Sequence, residues 1–290
     1  MLLSALIAGL VLGGTYALVA IGLTMQYGIA RIMNLAYGET IIAGAFAAYL
    51  IHNALGTSPV LGLLVVAPAG FAFGWMVYGL MLRRLVKRSK GGAALEVDSI
   101  LATFGLLFVL QGIMLVAFGG NYMSYSFMNY GVDILGTQVA ANRLLALCLA
   151  IVIGGGLYLL LAYTRWGTAL RAVSIAPASA PLVGIDGDRA ARFAFALGCA
   201  LATSGGVVVS MYQTFTASSG VIFTMKALIV VIMGGVGNVA GALSAGLILG
   251  LVETLVATYV SPGLTLAAVY IIFLGVLLWR PSGLFGRARR

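Results

Sequence analysis

Charge is what this chain has least of: 8% of its 290 residues are Asp, Glu, Lys or Arg, where a soluble domain carries about a quarter. Residues 1–30 contain no charged side chain at all. An ordinary water-soluble core is excluded, because the hydrophobic residues, 62% of the total, fall in runs of about 20, enough to cross roughly 30 Å of hydrocarbon. Two cysteines, Cys148 and Cys199, both inside apolar runs, support neither a disulfide framework nor a metal knuckle and are expected to be packing residues. His52 is the sole histidine and has no cysteine or carboxylate cluster beside it. Neither a metal site nor a nucleophile–base pair is therefore indicated, and His52 is expected at the membrane interface. No GxxxxGK[ST] loop occurs, so this chain is not expected to hydrolyse ATP by the P-loop mechanism. A G-x-G-x-x-A pattern lies within residues 227–242, but it stands among apolar spans without alternating strand and helix units, against dinucleotide binding. With no convergent catalytic set, the chain is not expected to be an enzyme or to bind a cofactor of its own.

What is present is a series of apolar runs between polar breaks, at 5–28, 38–56, 59–82, 99–118, 143–163, 191–211, 223–235, 238–256 and 262–279. They predict an all-α, polytopic transmembrane bundle of about eight to nine spans, a single domain over 1–290, with the short seventh segment partial or re-entrant. The first run lacks a basic leader and, from Leu2 to Ile29, is far longer than the roughly 7–15 residues of a signal peptide's apolar region, so it is read as a span. With the N-terminus outside and the C-terminus in the cytoplasm, all but Arg143 and Lys226 of the 16 basic residues face inward, as the positive-inside rule requires. The net charge of +9 is thereby explained by topology, and no nucleic-acid groove is implied. The outer loop at 119–142, with Tyr122, Tyr125, Phe127 and Tyr130, suits the aromatic belt of the interface.

Forty glycines would weaken water-soluble helices; in lipid, Gly9-xxx-Gly13, Gly237-xxx-Gly241 and Gly246-xxx-Gly250 suit close helix packing. AGAFAA at 43–48 is similar to AGALSA at 240–245, through a parallel repeat or through chance in glycine- and alanine-rich sequence.

Polar residues that interrupt apolar runs are costly in hydrocarbon and tend to face a cavity or a partner. Asn34, Gly38 and Glu39 lie at the break between the first two spans, Asn238 opens the eighth, and Gln111 and Glu253 fall inside runs. All six are candidates for a pathway through the membrane. Glu39 and Asn238 have an alternative role as helix N-caps, and Gln111 and Glu253 as partners in helix–helix hydrogen bonds. Residues 164–190 form a loop placed in the cytoplasm, yet Leu182, Val183 and Ile185 make its middle apolar, which suggests a docking surface for a cytoplasmic partner.

The run GLVLGGTYALVAIGLTMQYGIARIMNLAYGETIIAGAFAAYL at 9–50 resembles the opening of the LivH-type permeases of high-affinity branched-chain amino acid importers. So do GTALRAVSIAPASAPLVGID at 167–186, FTMKALIVVIMGGVGNVAGALSAGLILGLVE at 223–253 and LLWRPSGLFG at 277–286. The resemblance implies a permease in a bacterial inner membrane, paired with a second homologous permease, two cytoplasmic ATP-binding subunits that consume the ATP, and a periplasmic substrate-binding protein. It assigns ATPase coupling to 164–190, with Arg171, Ala172, Leu182, Gly184 and Ile185, and makes NLAYGE at 34–39 part of the route. Within the wider superfamily a sugar, amide or urea permease is the alternative. An ion-coupled secondary transporter would be expected to carry more intramembrane ionisable groups than Glu39 and Glu253. Two departures stand out: Tyr37 replaces a common histidine, and Ser179-Ala180-Pro181 replaces an acidic residue followed by alanines. With Pro181 confined to a first turn, Ser179 is the expected cap of a later coupling helix.

Overall fold

A computed structural model describes residues 2–89, 93–134, 137–177 and 179–286. Lys90, Arg287, Arg289 and Arg290, expected at the inner face, lie outside them. All nine expected apolar segments are helical. They are α1 (Leu2–Ala30), α2 (Tyr37–Leu55), α3 (Pro59–Val77), α5 (Ala93–Phe118), α6 (Ala141–Tyr163), α8 (Gly187–Ser210), α9 (Gly220–Gly234), α10 (Val239–Tyr259) and α11 (Thr265–Trp279). A π-helical segment, Tyr78–Leu82, carries α3 on into the short basic α4 (Arg83–Arg88), and the amphipathic α7 (Arg165–Ile175) precedes α8. Seven of the helical segments are long and apolar enough to cross a membrane. The seventh expected span, α9, has 15 residues, about 22 Å at 1.5 Å per residue and short of the roughly 30 Å of hydrocarbon.

Boundaries move where capping chemistry was not weighed. The sixth span begins at Gly187 because the Asp186 side chain accepts from the Asp188 and Arg189 amides. The fourth begins at Ala93 and takes Glu96 into its first turn, where a carboxylate is favoured. The outer loop contains a small antiparallel hairpin, β1 (Gly131–Ile134) and β2 (Thr137–Ala140), built from the β-branched Val132, Ile134, Thr137 and Val139.

The bundle is centred on α1 and α8. Of the apolar window of α8, 83% is buried, against 6% for α11 and 17% for α5, so the last two are peripheral. The expected glycine pairs on α1 and α10 face each other: a Cβ on Gly250 would run into the backbone of Gly13, and one on Gly246 would meet Ala17 at 2.6 Å. The same close approach joins α2 to α8 through Gly44 and Gly206. Helices without a hydrophobic driving force between them associate through this backbone proximity.

Gly250→Val is expected to destabilise the folded protein by about 1–3 kcal/mol through overpacking, whereas Gly105→Val, where a Cβ meets nothing within 4 Å, leaves stability unchanged. Reversible unfolding of the purified protein in mixed micelles checks both.

Candidate functional site

The connection between α1 and α2 does not run along the membrane surface. Arg31 takes a left-handed backbone, φ 55°, which ends α1 and turns the chain inward. Residues 31–36 then fold back against α1, and the Tyr37 hydroxyl donates to the Val19 carbonyl at 2.7 Å. Val19 lies about 16 Å before the end of α1, so α2 starts inside the bundle. Backbone groups there find no water and need protein partners. α5 and α9 supply them, while α1 holds the Asn34 side chain and is itself tied to α8. Met33 and Leu35 amides donate to Ser99 Oγ and Thr103 Oγ1 of α5 at 3.2 and 3.1 Å. The Gly38 amide donates to Thr224 Oγ1 of α9 at 2.8 Å. Asn34 Nδ2 donates to Gln26 Oε1 of α1 at 3.0 Å, and Gln26 Nε2 donates to the Phe195 carbonyl of α8 at 3.1 Å.

Asn34, Gly38 and Glu39 are thus brought together and are buried. Gly38 packs so closely on Gly220 of α9 that any side chain would collide with its carbonyl. Glu39 is not a cap: α2 starts after Ala36 without a side-chain capping bond. Its side chain is fully buried and lies flat on Gly220, where a Cβ would strike both carboxyl oxygens. Neither oxygen has a hydrogen-bond partner, a condition that costs at least about 1–3 kcal/mol.

The other expected pathway residues lie elsewhere. Gln111 is half-buried on α5, on the helical face shared by Leu107 and Met114, and takes no part in the polar seam. Asn238 is an N-cap: Oδ1 accepts from the Gly241 amide at 3.1 Å, and Nδ2 donates to the Phe285 carbonyl at 3.0 Å. Glu253 of α10 is bound to Lys226 of α9 at 2.7 Å and accepts from the Tyr16 hydroxyl of α1 at 2.9 Å; Lys226 also donates to that hydroxyl. Both charged side chains are 13% exposed. Lys226, expected at the outer side as an exception to the inward bias, is part of a buried clamp on three helices. The signal was available: a lone lysine and a lone glutamate in two neighbouring apolar runs imply a pair. Gln26, Ser99, Thr103 and Thr224 carried no comparable signal, being single hydroxyls or amides on otherwise apolar helices.

At the far end of the bundle α7 packs under α6. Thr164 caps it by accepting from the Gly167 amide, and Gly167 lies against the Leu160 and Leu161 carbonyls. Arg171 donates to the Ala162 carbonyl at 3.2 Å, and Ala172 is half-buried. The helix following Ser179 is only a 3-10 turn, Ala180–Val183, and the Ser179 side chain makes no capping bond. Pro181 stands in its first turn, and Gly184, at φ 78°, ends it, so the longer helical element is the upstream α7. Ile185 tucks back against the core, while Leu182 and Val183 are 86% and 73% exposed. Beside α7 opens a cavity of about 540 Å³ whose lining includes Arg171, Ser174, Asn238 and Phe285.

Apolar helices around a buried polar seam, with an exposed apolar tip at one end, are the architecture of a polytopic membrane transport protein. A family model described as branched-chain amino acid transport system / permease component matches residues 5–278. The chain is 31% identical over 298 aligned positions to the high-affinity branched-chain amino acid transport system permease protein LivH of Escherichia coli K12, covering 96% of this chain and 94% of the relative. It is 30% identical over 299 positions to LivH of Salmonella typhimurium, with the same coverage. To BraD of Pseudomonas aeruginosa it is 28% identical over 300 positions, covering 98% and 96%. No solved structure matches. The chain belongs to the branched-chain amino acid transport permease family.

Removing one partner of the buried clamp leaves an uncompensated charge, so Lys226→Met is expected to destabilise by about 3–5 kcal/mol. The double replacement Lys226→Met/Glu253→Leu should cost markedly less. A double-mutant cycle from micellar unfolding curves gives the comparison, and equal costs would deny the pair its role.

Proposed function

We propose that the chain is one of two permease subunits of an ATP-binding-cassette importer that moves branched-chain or related neutral amino acids from periplasm to cytoplasm. The substrate class rests on the names of the relatives, each a branched-chain amino acid permease. The N-terminus is outside and the C-terminus inside, supported by the distribution of arginine and lysine between spans. A second permease, two ATP-binding subunits and a periplasmic binding protein complete the machine, and ATP is consumed on the ATP-binding subunits. Residues 1–290 act as one permease domain, with 164–190 as the coupling segment.

The observation that carries this reading is the tip after α7. Ile175, Leu182 and Val183 are 76%, 86% and 73% exposed at the basic, cytoplasmic end, where an apolar cluster is favourable only beneath a partner. Behind the tip the segment is tied to the spans. Asp186 caps α8, Trp166 of α7 stacks on Phe193 of α8 with ring centroids 5.1 Å apart, and Arg171 holds the end of α6. Closure of the ATP-binding subunits around Leu182 and Val183 thereby reaches α6 and α8 together. α8 packs against α1 and α2, which flank the seam around Asn34, Gly38 and Glu39. Such a movement drives transport by favouring one arrangement of the spans over another.

Leu182→Asp is expected to cost about 2 kcal/mol of ATP-binding-subunit docking, roughly thirtyfold in affinity. Gly184→Val, which forces a β-branched residue to positive φ, should lower binding-protein-stimulated ATP hydrolysis in the reconstituted complex. Wild-type stimulation in both variants removes the coupling role from this loop.

A further inference from the structure

Among the buried side chains of the polar seam, the Glu39 carboxyl is the one whose atoms lack a hydrogen-bond partner among the described residues. Every backbone or side-chain bond described for residues 33–38 has a protein partner, yet the Glu39 carboxylate, sealed inside the chain, has none. No cation offsets it: among the described residues the ion pairs are Arg83–Asp188, Arg189–Asp186 and Lys226–Glu253. Lys226, on the same helix α9 that covers Glu39, is already engaged by Glu253 and Tyr16. Nor does Glu39 face a neighbouring subunit, since it is fully buried between α2 and α9 of this chain. What reaches it must come between those helices.

The cover over the carboxylate is a bare one. Gly220, the first residue of α9, lies flat on it with no side chain. α9 has 15 residues, short for a span, and is joined to α2 through Thr224, whose hydroxyl serves the Gly38 amide. Withdrawal of the α9 start from α2 uncovers this carboxyl group at the depth where α2 begins. A carboxyl that has no partner while covered, and gains its charge on uncovering, is matched by a solute that brings a cationic donor.

Resting on the permease reading above, we propose that Glu39 is the intramembrane acceptor for the α-ammonium group of the passing amino acid. The site then selects solutes by a free primary ammonium. Sugars, urea and simple amides lack this group, and the side chain of the amino acid is left to the apolar surroundings of the helices. The ammonium pairs with the carboxylate while α9 is withdrawn, and is released as Gly220 closes back.

The test uses the complete importer in proteoliposomes with its binding protein. In Glu39→Gln, amino acid uptake at saturating loaded binding protein is expected to fall about thirtyfold or more, while ATP hydrolysis stimulated by that protein persists, so that solute moved per ATP collapses. Glu39→Asp should restore part of the uptake. A measurement on the unaltered importer stands beside the variants: modification of Glu39 by an apolar carbodiimide, mapped by mass spectrometry, should be slowed by turnover with loaded, compared with unloaded, binding protein. Wild-type uptake by Glu39→Gln, or labelling indifferent to substrate, overturns the proposal alone. Loss of the second permease from the purified Glu39→Gln complex overturns it too, by making Glu39 an assembly contact. An unaltered importer that moves only a solute without an ammonium group overturns the substrate reading and this proposal together.

Discussion

Every peptide group that leaves a helix inside a membrane needs a partner from the protein, because hydrocarbon offers none. In this chain the constraint is concentrated at the connection between α1 and α2. Residues 31–36 re-enter the bundle; the Met33, Leu35 and Gly38 amides are met by hydroxyls of α5 and α9, and the Asn34 side chain by Gln26 of α1. The demand explains why Ser99, Thr103 and Thr224 occupy helices that are otherwise apolar. It also fixes where α2 begins, and so where Glu39 is held. A residue one turn away on a surface loop would be solvated; here it is sealed beneath α9.

The second constraint is distance. Side chains of ordinary size would keep α1 from α10 and α2 from α8, and the polar partners would then fall out of reach. Glycines at 13, 44, 206, 246 and 250 let backbones touch, and dispersion contacts along those lines replace the hydrophobic force that lipid removes. The ion pair between Lys226 and Glu253 holds α9 to α10 while Tyr16 adds α1. A helix held by a clamp at one turn and by bare glycine contact at another is suited to hinge about the clamp.

The coupling proposed for residues 164–190 rests on the same economy of contacts. The tip at 180–184 is small and exposed, but the residues on either side of it are anchored, Thr164 and Gly167 under α6 and Asp186 at the start of α8. A push on the tip is thereby passed to α8 through Asp186. The identity of the tip as a 3-10 turn follows from Pro181, which has no amide hydrogen, and from the left-handed Gly184.

By itself the sequence determined the class of fold, the nine apolar helices, the glycine spacings suited to close packing, and the family, because hydropathy, charge asymmetry and small-residue spacing are local properties of the chain; which helices those glycines join was decided by the tertiary structure. Asn34, Gly38 and Glu39 were legible as a group since they interrupt apolar runs within a few residues of one another. Only the tertiary structure decided that Asn238 is a cap, that Glu253 is bound to Lys226 across 27 positions, that Gln111 stands apart from the seam, and that the Glu39 carboxyl is buried without a partner. Those outcomes depend on which residues distant in sequence meet, and a one-dimensional pattern of apolar and polar positions carries the cost of burying a group but not the neighbour that offsets it.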